Sequence, residues 1–213
     1  MIKQYKSIKA LATVIPIFPL TGAVLFPRCF LPLNIFETRY LAMINDALES
    51  GNRLIGMIQP KNKKNIYSVG CLGKINSFEE TEDGRFFIIL KGITRFKVEQ
   101  ELKTDTSYRK IVANYDQYQS DLVETNKLDL EKKEIIEFLK KNINFTNWTN
   151  WETIEKSPAE NIINYTTMFG ALAPEEKQLI LEAEELKKRM ELLKSAIHIN
   201  SAQSESSSYK TLQ

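Results

Sequence analysis

Histidine is almost missing from this chain, with His198 alone in 213 residues, and cysteine is nearly as scarce, with only Cys29 and Cys71. Neither cysteine belongs to a CxxC or Cys/His cluster, so no zinc site and no disulfide framework is expected, and both thiols read as small buried hydrophobes. His198 falls at the end of a helical pattern without a partner, and acidic pairs such as Glu79-Glu80 and Glu175-Glu176 read as a turn flank and a first helical turn. No catalytic constellation, cofactor motif or metal-ligand set emerges. An excess of one charge is lacking too: 29 Lys and Arg face 27 Asp and Glu, for a formal net charge of +2. The balance is uneven, with 17 basic against 11 acidic residues over 1–118 and 12 against 16 over 119–213. A surplus that thin attracts anions weakly and falls short of a nucleic-acid footprint. No run approaches the roughly 20 apolar residues of a membrane-spanning helix. Lys3, Lys6 and Lys9 precede an apolar stretch in the manner of a signal peptide. Pro16 and Pro19 interrupt it, however, and no small-x-small cleavage site follows, so a cytoplasmic address is expected.

What is present suits a folded protein of one domain or two small ones, since 43% of the residues are hydrophobic and 26% charged. From Val14 to about Tyr118 the pattern is mostly that of strands. Leu54–Ile58 is a short apolar run, Arg85–Leu90 a longer one rich in β-branched and aromatic residues, and Ile93–Val98 and Tyr108–Tyr115 add two more. Asp83-Gly84 is a hairpin turn signal between Val69–Glu80 and the Arg85–Leu90 run. One helix interrupts the strands: Phe36, Tyr40, Leu41, Ile44 and Leu48 recur at helical spacing, Asn34 and Glu37 can close a capping box, and Gly51 can end it.

After about Ser120 the period changes to 3.6. Asp129–Ile143, a helix opened by Ser157-Pro158-Ala159-Glu160, another opened by Pro174-Glu175-Glu176, and a last one carrying Leu186, Met190, Leu193 and Ile197 make a helical second half. The reading is therefore α+β: a β-rich part over 1–120 with one packed helix, a helical bundle over 121–200, and a polar, serine-rich disordered tail over 201–213.

Four of the seven prolines, Pro16, Pro19, Pro27 and Pro32, crowd into seventeen positions among apolar residues. Proline cannot donate to a sheet ladder, so these strands are expected at an edge or a sharp bend. They either block unwanted pairing or, with Ile17, Phe18 and Leu20, leave an open groove for an extended peptide. Glu37, Arg39 and Tyr40 read as a helix cap, a paired cation and a half-buried ring, with an exposed patch contacting client protein as the functional alternative. Gly70-Cys71-Leu72-Gly73 matches the GXXG clamp of an RNA-binding loop superficially, but within a strand a bulge or close backbone approach is favoured. Lys61-Asn62-Lys63-Lys64-Asn65 reads as a solvated turn whose rival role is a phosphate contact. Trp148 and Trp151 read as packing groups.

Ile17-Phe18-Pro19-Leu20, Val24-Leu25-Phe26-Pro27 and Leu31-Pro32-Leu33-Asn34-Ile35-Phe36-Glu37-Thr38-Arg39-Tyr40 together resemble the opening of the Lon protease N-terminal (substrate-binding) domain family. Val69-Gly70, Gly73, Asp83-Gly84-Arg85, Gly92, Arg95-Phe96, Tyr108 and Leu172–Leu181 follow in the family's order, so the likeness covers about residues 13–197. It implies a PUA-like β-barrel joined to a helical bundle, a non-enzymatic module that recognises hydrophobic or unfolded polypeptide. No GxxxxGK[ST] loop and no protease domain with a Ser-Lys dyad follow, as in the free-standing members of the family. The implied partners are unfolded segments and, as an accessory or competitor, a Lon-type protease; RNA binding through the barrel is the alternative, and no membrane is implied. The peptide-binding candidates are Ile17, Phe18, Leu20, Glu37, Arg39 and Tyr40.

Overall fold

The computed structural model describes residues 7–123, 129–143 and 151–210. The chain divides into two compact units, 1–124 and 125–213. Unit one holds six strands, β1 (Val14–Pro19), β2 (Phe30–Ile35), β3 (Leu54–Ile58), β4 (Val69–Glu80), β5 (Phe86–Leu102) and β6 (Lys110–Asn114), with helix α1 (Thr38–Glu49) between β2 and β3. Unit two holds α2 (Asp129–Asn142), α3 (Trp151–Lys156), α4 (Ala159–Phe169), α5 (Pro174–Glu182) and α6 (Leu186–Lys210). The α+β class is thereby met, strands first and helices after.

The strands pair in the order β2-β5-β4-β3-β1-β6, and an additional β5–β6 pairing closes β1, β3, β4, β5 and β6 into a ring. Closure removes free edges from that ring. Two strands make it possible. β5 is seventeen residues long; its first part pairs with β2 and its last part with β6. β1 changes partner midway: Val14–Pro16 pair antiparallel with β6, and Ile17–Pro19 pair parallel with β3. Each half of β1 thus needs only one hydrogen-bonded side, which is how a strand inside the ring tolerates both Pro16 and Pro19. The expectation that these prolines mark an edge is corrected accordingly. The edge strand is β2, which pairs with β5 alone among the described residues, and its Pro32 is exposed there.

Ile15, Ile17, Leu54, Ile58, Leu72, Phe96, Ile111, Ala113 and Tyr115 fill the interior. Phe96 needs two neighbours without side chains. A Cβ on Gly70 would stand 2.5 Å from its ring, and one on Gly56 would stand 3.1 Å away. The GXXG stretch is therefore packing, with all four residues buried and the register shifting between Leu72 and Gly73.

A buried ion pair ties the segment after β6 to the sheet. Arg95 is fully buried, and its Nε and Nη2 donate to Asp121 at 2.9 and 2.8 Å, while its backbone N–H donates to the same carboxylate at 3.0 Å. The guanidinium also lies 4.3 Å from the Tyr118 ring centroid. Arg28, which adopts a left-handed φ of 66°, reaches the Asp121 carbonyl with Nη1. Three backbone or side-chain donors from Arg95 on one carboxylate satisfy a pair that would otherwise be costly to bury.

Helix α1 starts later than the capping box requires. Asn34 lies in β2, and Glu37 occupies the N-cap without a side-chain bond to the helix, because its carboxylate takes Arg39 at 2.7 Å instead. Gly51, at φ 71°, ends the helix with its N–H on the Leu48 carbonyl. In unit two the box expected at Ser157 and Glu160 is likewise replaced: Ser157 donates to the Thr153 carbonyl, and Glu160 pairs with buried Arg189 at 3.6 Å. Arg189 also donates to Asn164 at 3.0 Å. The buried Lys177 donates to the Met168 carbonyl at 2.8 Å, near the end of α4, and burial lowers its pKa. Ile135, Leu139, Ile163, Ile180, Leu181, Met190, Leu193 and Ile197 form the apolar interior of these helices. Helix α6 carries its backbone to Lys210, through the serine-rich stretch read from composition as a tail; 211–213 lie outside the described residues, as does Trp148.

Candidate functional site

The sequence candidates do not form a surface. Ile17 is fully buried inside the barrel, and Phe18 is buried against Tyr40, with ring centroids 4.3 Å apart. Leu20 is half-buried. The alternative of a greasy groove here is corrected to core packing for Ile17 and Phe18, because the side chains that would line it are buried in the protein's own interior. Glu37 and Arg39 are exposed but paired with each other, and Arg39 lies 4.5 Å from the Tyr40 ring. Burial raises the Tyr40 pKa, with Arg39 opposing it. The arrangement is the structural one: a cation over a buried ring, neutralised by its neighbour.

Exposed apolar surface occurs instead on the far side of the β2-β5-β4 layer. Directly opposed residues share a face of a sheet. Three such rows point outward: Phe30, Lys91 and Lys74; Pro32, Ile89 and Ser77; Asn34, Phe87 and Glu79. Phe30, Ile89 and Phe87 are 39%, 38% and 47% exposed. Between the rows lies an open groove of about 530 Å³, walled by Pro32, Asn34, Ser77, Glu79, Phe87 and Ile89 among others. The alternate residues of β5, Phe86, Ile88 and Leu90, turn inward and are buried. Phe78 sits at the margin of the inner face, 45% exposed, with Arg53 5.7 Å from its ring centroid and Phe86 6.4 Å away. Phe36 stands 65% exposed just past the end of β2.

The face is electrically polar. Lys91 lies 5.6 Å from the Phe30 ring, with Lys74 opposite it in the same row, and Glu79 ends the third row. Beyond Glu79, at the hairpin tip, Glu80 and Glu82 are exposed and Asp83 is paired. Arg85 holds the Asp83 carboxyl at about 2 through a side-chain hydrogen bond, with Thr81 assisting, and the two charges are 2.6 Å apart. No group of three His, Cys, Asp or Glu positioned to hold a metal occurs among the described residues. What the face offers is shape, apolar surface and charge.

The sequence carries a signal for this face. Phe86–Leu90 is apolar at every position. A strand covered on one side alternates, so a continuous run demands either a second covering layer or an exposed greasy face. The strands are legible in the sequence; that no second layer covers this face among the described residues is not.

Lys61, Lys63 and Lys64 are exposed on a turn that Asn62 holds through its side-chain oxygen. His198 meets the Phe138 ring edge-on at 5.0 Å, and Trp151 is half-buried with Lys140 5.4 Å from its ring. Cys29 and Cys71 are buried free thiols, and burial pushes the Cys71 thiol up. No helix among the described residues is long and apolar enough to cross a membrane.

Comparison with known proteins places this geometry. A family model described as the ATP-dependent protease La (LON) substrate-binding domain matches residues 14–198. A Lon protease of Flavobacterium johnsoniae is 26% identical over 185 residues, which cover 82% of this chain and 22% of that protein. One of Anaeromyxobacter dehalogenans is 28% identical over 204 residues, covering 84% and 22%. The chain thus spans about a fifth of the length of these relatives. Among solved structures, a Lon N-terminal domain protein from Xanthomonas campestris superposes with a TM-score of 0.63 at 20% identity, over 85% of this chain and 97% of that one. The N-terminal domain of a Mycobacterium avium complex Lon protease gives 0.67 at 13% identity, over 87% and 98%.

Proposed function

We propose, because this chain belongs to the ATP-dependent protease La (LON) substrate-binding domain family, that it binds hydrophobic or unfolded polypeptide segments without acting on them, and does so on the outer face of β2, β5 and β4. The observation that carries the placement is the exposure of Phe87 and Ile89 on one side of β5 while Phe86, Ile88 and Leu90 fill the core on the other. Exposed apolar side chains grouped on one face, bordered by charges, are what a binding surface presents. Shallow contact with several rows of side chains suits many sequences weakly, and a reader of unfolded chains needs that tolerance. Delivery of such segments to a Lon-type protease, or competition with one, is the role this binding would serve. Two buried thiols in unit one, neither bonded to the other, suit a reducing cytoplasmic setting.

Titration of a fluorescently labelled, permanently denatured client tests the reading. Denatured client binds at least tenfold more tightly than its native form, and Phe87→Asp with Ile89→Asp removes that preference while a cooperative thermal transition is retained, lowered by the loss of strand propensity. Equal binding of native and denatured client overturns the function; unchanged preference in the double variant overturns the placement.

A further inference from the structure

The outer face of β2-β5-β4 has unlike ends, and we infer that it selects extended segments whose apolar centre is flanked by an acidic residue on one side and a basic residue on the other. This rests on the polypeptide-binding reading above and adds a substrate class to it. The first outward row ends in Lys91 and Lys74, the second is the uncharged Pro32, Ile89 and Ser77, and the third ends in Glu79. Lys91 and Phe87 are four residues apart on one strand, so the charged rows stand about 13 Å from each other at roughly 3.3 Å per residue. An extended segment shows the same side every second residue. Its residue i lies over the cationic row, i+2 over Ile89 and Pro32, and i+4 over Phe87 and Glu79. Placing a carboxylate at one end and an ammonium or guanidinium at the other complements both rows at once. Segments with the same charge at both ends gain at one row and lose at the other.

The apolar middle strengthens the selection. Ile89 and Phe87 keep water from the bound segment's centre, and the low-dielectric wall they form lets the neighbouring charges act more strongly at a given distance than in open solvent. Lys91 lies against the Phe30 ring and Glu79 stands at the strand end, so both remain at the rim, where charge complementarity tunes selectivity rather than supplying most of the affinity. A face of this kind lets direction along the chain vary, because nothing in the side-chain rows distinguishes acid-first from base-first.

Four host peptides sharing one alternating apolar core, with Glu and Lys, Lys and Lys, Glu and Glu, or Ser and Ser at positions i and i+4, measure the effect by fluorescence anisotropy on the intact chain. The mixed peptide binds about fivefold more tightly than the Ser peptide at low salt, in line with two partly exposed ion pairs. The like-charged peptides fall at or below the Ser peptide, and the differences close at about 0.5 M salt. Lys91→Glu shifts the preference toward the Lys and Lys peptide, and Glu79→Lys shifts it toward the Glu and Glu peptide. Four equal affinities, or a mixed-peptide advantage that neither charge reversal moves, overturn the selection while leaving polypeptide binding intact. If neither the peptides nor the denatured client binds, the underlying reading fails and the selection with it.

Discussion

Arg95 has no exposed surface, and its charge is tolerated because Asp121 takes three of its donors and Tyr118 covers its plane. Asp121→Ala leaves that guanidinium buried and unpaired, and costs about 3–5 kcal/mol of folding stability, to be read as a fall in the urea midpoint at unchanged slope. Replacing both partners together, Arg95→Met with Asp121→Leu, recovers most of the loss, since no charge is then left in the interior. Tyr108 offers a titration test. Its hydroxyl donates to Asp46 at 2.5 Å, and burial, then that carboxylate, raise its pKa above the ordinary 10.0. The folded state holds this proton where the unfolded chain has released it, so its contribution is complete below pH 10 and declines as the pH rises toward the folded value. Tyr108→Phe therefore flattens the alkaline fall in stability, measured by denaturant melts from pH 9 upward.

Elements differ in how much of their logic lies in local sequence. Gly92 sits in β5 where a Cβ would stand 2.0 Å from the Phe26 carbonyl oxygen, an overlap with backbone that no rotamer relieves. Gly92→Ala is expected to cost about 3 kcal/mol or more. Gly84, at φ 77° with open space around it, loses only about 1 kcal/mol on mutation to Ala, through left-handed strain; thermal melts of the two variants separate these causes. The Gly84 turn was legible because Asp-Gly between apolar runs has a local meaning, as were α1 with its Gly51 terminus and the start of α5 at Pro174. The requirement at Gly92 is long-range and could not be read. The prolines misled for a related reason: a strand that changes partner between Pro16 and Ile17 cannot be told from an edge strand by its own residues. Glu37 and Glu160 matched capping patterns, yet Arg39 and the distant Arg189 took their carboxylates. Local pattern identified the elements, whereas partner choice decided which face of each met water.

For the molecule as a whole, all strand pairings fall within residues 14–114, inside the first of the two units. A closed ring with its own apolar interior has what independent folding needs. A fragment ending at residue 124 is expected to unfold cooperatively in urea and to retain preference for denatured client, because the rows that carry it belong to β2, β4 and β5. A fragment that unfolds without a transition would show that the helices are needed to hold the ring. Recognition of the family came from motifs dispersed along the whole chain. The proposed face did not, since it depends on a register that pairs Phe87 with both Asn34 and Glu79.

β5 serves two masters: its opening half displays Phe87 and Ile89, and its closing half locks to β6 from Lys97 onward. Because neighbours along a strand point oppositely, slippage by a single position would swap the displayed set for Phe86, Ile88 and Leu90 while dragging Phe96 out of its glycine-lined seat. The barrel's closure thus acts as a ratchet on the outer face, so that whatever fastens the ring also keeps Phe87 and Ile89 turned toward solvent.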